Sequence, residues 1–300
     1  MMKLGFSARV CPEWDLTTLI GKAAELGFNG VELVDLRGGP PLPSARELTA
    51  NPDVGHALLE SKKVELACLS SDVTLDSKNN TELNKQRTAL AETVGLAAKL
   101  RCPFVRISAG HVQRLDTERF ALARIADALR ALVPMLSRHD VTLLVENGGD
   151  FTGANHLWHL VDAVDHPTVR GCWNQCQAMT SGERATRSIP RLGSRLGLVH
   201  LCDAAFDENH VLTEYKLLGD GNTDVAHQID LLKGIVYDRY LIFDWPKNRI
   251  PSLPDPDDAV PKSYEFMREC VEAKQTVLAA YKGDKQAPRM AARTGATATV

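Results

Sequence analysis

Short apolar runs alternate with longer amphipathic stretches along most of the chain. Runs of this kind, bounded by turn residues, predict β-strands. There are eight, at Lys3–Ala8, Gly30–Asp35, Val64–Ser71, Pro103–Ser108, Thr142–Asn147, Val169–Asn174, Leu198–Asp203 and Tyr240–Trp245. The amphipathic stretches predict one helix after each strand, at Leu16–Leu26, Ala45–Ser61, Thr81–Leu100, Thr117–Ser137, Asn155–Val164, Ala185–Leu196, Val225–Val236 and Lys262–Tyr281. Such alternation is typical of βαβ units on a parallel sheet.

Two architectures repeat the βαβ unit, the doubly wound open sheet and the closed barrel. The G-x-G-x-x-G turn of many doubly wound folds is missing after the first strand, where the chain continues as Arg9–Asp15. Eight units in one chain favour closure, so the sequence predicts an α/β fold, a (β/α)₈ TIM barrel formed as a single domain by residues 1–281. Residues 282–300 lose the apolar periodicity and are predicted to form a disordered C-terminal tail.

The composition limits the partners. With 44% hydrophobic and 24% charged residues, the chain has enough apolar side chains for a large core. A net charge of −3 and the lack of a basic stripe argue against nucleic acid as a partner. No apolar run approaches the ~18–20 residues that span a bilayer, and the N-terminus resembles no targeting signal, so we expect no membrane association.

The cysteines bear on the compartment and on metal binding. There are seven, an odd number, and several lie in apolar runs, which favours a reducing cytoplasm as the location. Cys172 and Cys176 are four positions apart but have no second Cys/His pair at zinc-site spacing. We therefore predict that both are buried apolar residues.

Polar residues at the carboxyl ends of barrel strands predict a functional site, because the loops that follow the strands converge on one face. Four consecutive strands carry such a residue late in the strand, namely Glu146, Asn174, His200 and Asp244. Two carboxylates, an imidazole and an amide oxygen form an octahedral type of metal site, which suits Mn²⁺ as the first choice and also Mg²⁺ or Co²⁺. Taken alone, Glu146 could instead pair with Arg106, and His200 could be a hydrogen-bonded core residue.

Three segments resemble the xylose isomerase-like TIM-barrel superfamily of sugar phosphate isomerases and epimerases: Leu143–Asn147 (LLVEN), Val199–Asp203 (VHLCD) and Leu218–Asp224 (LGDGNTD). The superfamily includes ketose 3-epimerases, inosose dehydratases, hydroxypyruvate isomerases and DNA-repair enzymes of the endonuclease IV type. The resemblance implies that Glu146 and His200 bind a metal. An endonuclease is not expected, because the extra histidine ligands and a basic surface are missing.

Three positions depart from the pattern that the resemblance implies. Asn174 and Gln177 stand where Asp and His are expected, and Asp244 stands where Glu is expected. Asn keeps an oxygen ligand but removes a charge, so metal binding should be weaker. Gln177 can only form hydrogen bonds, and the carboxylate of Asp244 has a shorter reach by one methylene.

The predicted function is a metal-assisted isomerase or epimerase of a sugar or keto-sugar. Removal of a proton next to a carbonyl gives an enediolate that a divalent cation stabilises, with Glu146 as base and Asp244 as acid. Candidates for binding the sugar substrate are Gln177, Asp203, Arg106, His111, Lys247 and Arg249. Two alternatives stay open: a dehydratase or lyase that acts on an inosose or 3-keto sugar with the same site, and a non-catalytic sugar-binding barrel with a degraded metal site. Members of the superfamily are often dimers or tetramers, so a homo-oligomer is a further expectation.

Overall fold

Eight parallel strands close into a barrel in the computed structural model, which describes residues 1–34, 41–50 and 52–273. The strands follow one another around the barrel in chain order, and the last strand pairs with the first. They are β1 (Lys3–Ser7), β2 (Gly30–Leu33), β3 (Glu65–Ser70), β4 (Phe104–Ser108), β5 (Thr142–Glu146), β6 (Val169–Asn174), β7 (Leu196–Leu201) and β10 (Tyr240–Phe243). The predicted barrel is confirmed. Asp35 of the second predicted strand and the predicted tail at 282–300 lie outside the described residues.

Helices lie between successive barrel strands. They are α1 (Leu16–Leu26), α2 (Arg46–Thr49), α3 (Pro52–Lys62), α4 (Asn80–Lys99), α5 (Glu118–Arg130), α6 (Val133–His139), α7 (Ala154–Val164), α8 (Gln175–Met179), α9 (Ala185–Leu192), α10 (Val225–Gly234) and α11 (Pro256–Glu272). No described helix combines the length and the apolar character that a membrane crossing needs.

Prolines account for three of the helices whose bounds differ from the prediction, whereas the helix predicted at 185–196 ends at Leu192, before Gly193. The predicted helix at 45–61 consists of α2 and α3, and the one at 117–137 consists of α5 and α6. Pro52 and Pro134 lie in the first turns of the second helix of each pair, where the missing N–H costs nothing. Pro256 likewise begins α11 before the predicted Lys262, whereas residues 274–281 of that predicted helix lie outside the described part.

Local sequence fixes the ends of several helices. The carboxylate of Asp15 accepts a hydrogen bond from the backbone N–H of Thr18 at 2.8 Å and begins α1. Asp224 begins α10 in the same way, through the N–H of His227 at 3.4 Å. Gly27 ends α1 with a φ of 91°, a conformation that other residues rarely adopt. These ends bring the chain back to the barrel at the start of each strand.

The barrel interior is built in layers, because alternate residues of every strand point inward. Its lower part is an apolar cluster of Ala67, Cys68, Leu144, Cys172, Leu198, Tyr240 and Ile242. Outward-facing side chains such as Trp173 and Phe243 are buried in the larger core between strands and helices. The apolar cluster fills the barrel, so the next inward positions, at the carboxyl ends of the strands, form the floor of a cavity.

Two elements that the sequence pattern did not predict flank this cavity. A hairpin of β8 (Asp203–Phe206) and β9 (Leu212–Lys216) follows β7, and the short helix α8 follows β6. Tyr215 from the hairpin and Gln177 from α8 both line the cavity. The two insertions therefore shape its wall.

Candidate active site

Each barrel strand places a buried polar side chain near its carboxyl end. We call these eight residues the polar layer: Ser7, Glu32, Ser70, Arg106, Glu146, Asn174, His200 and Asp244. A cavity of about 410 Å³ opens onto the layer, and its lining includes Arg9, Arg106, Glu146, Asn174 and Asp244. The four predicted metal ligands thus lie side by side in one layer.

His200 lies at the centre of the polar layer and is fully buried. Its Nε2 is 2.7 Å from Oε2 of Glu32, and its Nδ1 is 2.7 Å from Oε1 of Glu146 and 3.7 Å from Oδ2 of Asp244. Although burial opposes a charge on the ring, the carboxylates of Glu32 and Glu146 hold the pKa of His200 well above its usual value. In the metal-free protein the ring is therefore an imidazolium that donates to a carboxylate on each side.

Glu32 supports His200 from the opposite side of the barrel. The hydroxyl of Ser70 donates to Oε1 of Glu32 at 2.5 Å, and the hydroxyl of Ser7 lies 3.4 Å from the same oxygen. Burial raises the pKa of Glu32, but His200 and Arg106 lower it more, to about 2. Glu32 is not among the residues that the sequence predicted for the site. Its signal is an acidic residue inside the otherwise apolar β2, a position that is costly unless the charge is paired.

Glu146 uses both of its oxygens. Oε1 accepts hydrogen bonds from His200 and from Nδ2 of Asn174 at 3.1 Å, and Oε2 lies 3.3 Å from Nη1 of Arg106. Burial opposes ionisation, but His200 and Arg106 hold the pKa of Glu146 well below its usual value. The pairing with Arg106 that the sequence offered for Glu146 therefore occurs, beside the contacts of Glu146 with His200 and Asn174.

Asp244 pairs with Arg9, a residue at the end of β1 that sequence analysis left out of the site. Oδ2 of Asp244 lies 3.1 Å from Nη1 of Arg9. Burial would lower the pKa of Arg9, but Asp244, Glu146 and Glu32 raise it above its usual value, so the guanidinium stays charged. No described residue hydrogen-bonds to the buried Oδ1 of Asp244, to Nε of Arg9 or to Nη2 of Arg106. The polar layer and the adjacent Arg9 thus keep two unmet donors and one unmet acceptor.

Four of the predicted substrate-binding residues line the cavity: Gln177, His111, Arg249 and Arg106. The side chain of His111 is 61% exposed and that of Arg249 70% exposed, so these two lie at the rim, whereas Arg106 is part of the floor. The structure therefore leaves these four positions accessible to a ligand in the cavity.

The other two predicted substrate-binding residues hold loops. Nζ of Lys247 donates to the backbone carbonyls of Pro251 at 3.2 Å and Leu253 at 2.7 Å. The carboxylate of Asp203 accepts hydrogen bonds from the backbone N–H groups of Ala204, Gly219, Gly221 and Thr223 and from the hydroxyl of Thr223. Each is occupied by its own loop, which the sequence could not reveal without the loop conformation.

The side chains of Glu146, Cys172 and His200 could hold a metal ion, since one donor atom from each lies within 4.8 Å of the others. Burial raises the pKa of Cys172 to about 11, so its thiol is neutral and a poor ligand. Asn174 and Asp244 lie beside the same group. Oδ1 of Asn174 accepts from the N–H of Gln177 at 3.4 Å, whereas its Nδ2 faces Glu146. Cys172 and Cys176 are both buried, as predicted.

The similarity to known proteins extends over most of the chain. A family model described as xylose isomerase-like TIM barrel matches residues 20–270. No curated protein is significantly similar in sequence. Among solved structures, the chain resembles an IOLI protein with a binding zinc atom, with a TM-score of 0.79 and 14% identity over 90% of this chain and 98% of the other.

Two epimerase structures are also similar. A D-psicose 3-epimerase from Clostridium cellulolyticum H10, solved with D-tagatose, gives a TM-score of 0.73 and 18% identity over 91% of this chain and 100% of the other. A 3-keto-D-glucoside 4-epimerase, YcjR, from E. coli gives a TM-score of 0.72 and 15% identity over 90% of this chain and 100% of the other. At these identities the likenesses show a shared fold.

Proposed function

The chain belongs to the xylose isomerase-like TIM-barrel family, and from this premise we propose that it is a sugar isomerase or epimerase that moves a proton next to a carbonyl. The observation that carries the proposal is the unpaired Oδ1 of Asp244, a buried carboxylate oxygen of a residue that lines the cavity. A carboxylate oxygen with free lone pairs beside a substrate cavity is suited to accept a proton. The solved epimerases of the same fold support this choice of reaction.

The side chains fit a divalent cation. Nδ1 of His200 lies 2.7 Å from Oε1 of Glu146 and 3.7 Å from Oδ2 of Asp244, and neighbouring ligands of an octahedral ion are ~3 Å apart when metal–ligand bonds are ~2.1 Å. The N–H at Nε2 of His200 donates a hydrogen bond to Glu32. Nδ1 is then the ring nitrogen that can bind the cation, once the proton on Nδ1 is released.

We propose Glu146, Asn174, His200 and Asp244 as the residues that would hold the ion, with Mn²⁺ as the first choice because oxygen ligands outnumber nitrogen. When bound, the cation would polarise the substrate carbonyl and stabilise the enediolate. Asn174 is the weakest member of the set, because its amide oxygen points to Gln177 and must turn by half a rotation to replace Nδ2 beside Glu146.

Asp244 and Glu146 divide the acid–base work in this proposal. Asp244 takes the proton, since its Oδ1 has no competing hydrogen bond from a described residue. Glu146 is the weaker base, because its pKa lies well below the usual value and both of its oxygens are engaged. We place Glu146 on the opposite side of the substrate from Asp244, as the second group that transfers a proton. It also anchors His200. Arg106 and Glu32 position Glu146 and His200 without touching the reacting carbon.

The test is solvent-deuterium incorporation. D-psicose, D-tagatose, D-fructose and a 3-keto-glucoside are incubated with Mn²⁺-loaded protein in D₂O and followed by NMR and mass spectrometry. Epimerisation or isomerisation places deuterium on a carbon next to the carbonyl and keeps the carbon skeleton and its oxygens. Loss of one water would indicate the dehydratase or lyase alternative instead. If no sugar of the set exchanges, the proposal fails, and saturable binding without exchange would support the sugar-binding barrel.

A further inference from the structure

Two buried guanidinium groups border the cavity, and neither is fully used by the protein. The side chain of Arg9 is 14% exposed and that of Arg106 is 4% exposed. Both residues line the 410 Å³ cavity. Because buried N–H groups nearly always have a partner, a guanidinium that lacks one beside a cavity indicates a ligand.

Arg106 is held rigidly with one donor left over. Its Nε donates to the hydroxyl of Ser70 at 3.1 Å, and its Nη1 pairs with Glu146 at 3.3 Å. Its Nη2 has no partner among the described residues. Since two contacts already fix the plane of the group, Nη2 is preorganised for an acceptor on a ligand.

The edge of the Arg9 guanidinium that is best suited to a carboxylate does not pair with Asp244. Nη1 is occupied by Asp244, and Nε has no partner in the described part of the chain. Nε and Nη2 form the side edge of the group, whose two parallel N–H bonds match the two oxygens of a carboxylate. Arg9 also borders a second cavity, of about 650 Å³, so it lies where the site widens.

We infer that the substrate carries a carboxylate, which binds Arg9 and Arg106, and is therefore a sugar acid rather than a neutral sugar. This inference rests on the proposed function and narrows its substrate class. A carboxylate meets the unpaired donors of both guanidinium groups, while Oδ1 of Asp244 stays available for the proton next to the carbonyl. At the rim, the positive charge of Arg249 extends the same field, partly offset by Asp72 at 3.9 Å.

A phosphate monoester fits the site less well. It carries nearly two negative charges near neutral pH. Glu146 and Asp244 line the same cavity and repel them, whereas a carboxylate brings one charge and a planar pair of oxygens. Two unpaired guanidinium N–H donors match the two oxygens and the single charge of a carboxylate.

The experiment compares sugars that differ in one group. D-fructose is paired with D-fructuronate, and D-tagatose with D-tagaturonate, so that each acid replaces one CH₂OH by a carboxylate. Affinity is measured by calorimetry with metal-loaded protein. We expect at least one acid to bind about tenfold or more tightly than its neutral partner, because hydrogen bonds to a charged group are the stronger ones. Equal or weaker binding of both acids would overturn the inference.

Substitutions of Arg9 test whether this residue causes the preference for the sugar acid. Arg9→Gln should remove the preference, measured as the ratio of the affinities for the acid and for its neutral partner, whereas Arg138→Gln, on the exposed end of α6, should keep it. Arg9→Lys, which keeps the charge but loses the fork, should give an intermediate preference if Arg9→Gln does not fold. A preference that survives both Arg9 variants contradicts the assignment.

The outcome separates this inference from the proposed function. Deuterium exchange of the neutral sugars with no preference for the acids would overturn the inference and leave the isomerase proposal standing. Tight binding of the acids without exchange of any sugar would support the carboxylate site and sink the isomerase proposal.

Discussion

The two ends of the barrel interior each carry a charged cluster, and the clusters differ in how completely they are paired. At the amino ends of the strands, Nζ of Lys3 lies 2.7 Å from both oxygens of Glu65, and the hydroxyl of Tyr240 donates to Glu65 at 2.6 Å. Lys3 and Glu65 are 44% and 56% exposed. At the carboxyl ends, the polar layer is buried, and no described residue hydrogen-bonds to Oδ1 of Asp244 or Nη2 of Arg106 in the layer, or to Nε of the adjacent Arg9.

The two clusters represent two kinds of pairing. The Lys3–Glu65 pair is complete within the protein, whereas the polar layer leaves polar atoms available to a ligand. The Lys3–Glu65 pair keeps contact with water, so either partner can lose the other at little cost. The polar layer is shielded from water, so each charge depends on its neighbours, and an unmet donor or acceptor costs stability until a ligand meets it. The functional end of this barrel is therefore the one that the fold leaves incomplete.

The largest effect on folding should come from Glu32→Gln, which removes one charge from the buried layer and leaves His200 with a weaker partner. We expect a loss of about 3 kcal/mol in the free energy of unfolding, as for other broken buried pairs. Urea denaturation of chelated, metal-free protein, followed by circular dichroism, measures it. A loss under about 1 kcal/mol would mean that the layer is no more interdependent than a surface pair.

Low pH should remove the difference in the free energy of unfolding between wild type and Glu32→Gln. The folded pKa of Glu32 is about 2 against an ordinary 4.5, and a lowered pKa gives stability that is present above the unfolded value and lost as the pH falls toward the folded one. The stability gap between wild type and Glu32→Gln should therefore be full near pH 6 and shrink from about pH 4.5 toward pH 2. His200 has a raised pKa, so its contribution is complete below about pH 6.5 and is lost only at alkaline pH. A gap that stays constant down to pH 2.5 would contradict the assignment.

Asn174→Asp should tighten divalent-ion binding by about tenfold or more, because a carboxylate adds a full charge at contact distance. The competition of Mn²⁺ with a fluorescent chelator reads the affinity. Asn209→Asp, an exposed change in the turn of the β8–β9 hairpin, adds the same charge away from the site and should leave the affinity unchanged. Unchanged or weaker binding by Asn174→Asp would show that Asn174 does not face the ion.

The smallest effect is expected at the other end of the barrel. Glu65→Gln should cost no more than about 1 kcal/mol, since the pair with Lys3 is exposed and screened by salt. The same denaturation assay in low and in 1 M salt would test it. A loss as large as that of Glu32→Gln would remove the contrast between the two ends.

The sequence was sufficient for the fold and for five of the eight residues of the polar layer. Apolar periodicity predicted all eight barrel strands, and strand order then brought Glu146, Asn174, His200 and Asp244 together, since neighbours around a parallel barrel follow chain order. Contacts across the barrel were not predictable in this way. Glu32 on β2 reaches His200 on β7, and no neighbouring-strand rule connects those two strands.

Loop conformation accounts for the remaining differences. Arg9 follows β1 as the first charged residue, but its pairing with Asp244 depends on the turn after the strand. Asp203 and Lys247 have the chemistry of substrate-binding groups, yet each is occupied by backbone groups of its own loop. Side-chain type predicts what a residue can bind, whereas the loop decides whether it is free to do so.

The most direct test of the central claim is proton exchange by Asp244→Asn in D₂O, measured by NMR with whichever sugar the wild-type enzyme exchanges. Removal of the basic oxygen should lower the exchange rate by ~10²-fold or more, with a smaller loss for Glu146→Gln, whose pKa makes it the weaker base. Asp140→Asn, at the exposed end of α6, should keep the wild-type rate. Wild-type exchange by Asp244→Asn would contradict the account.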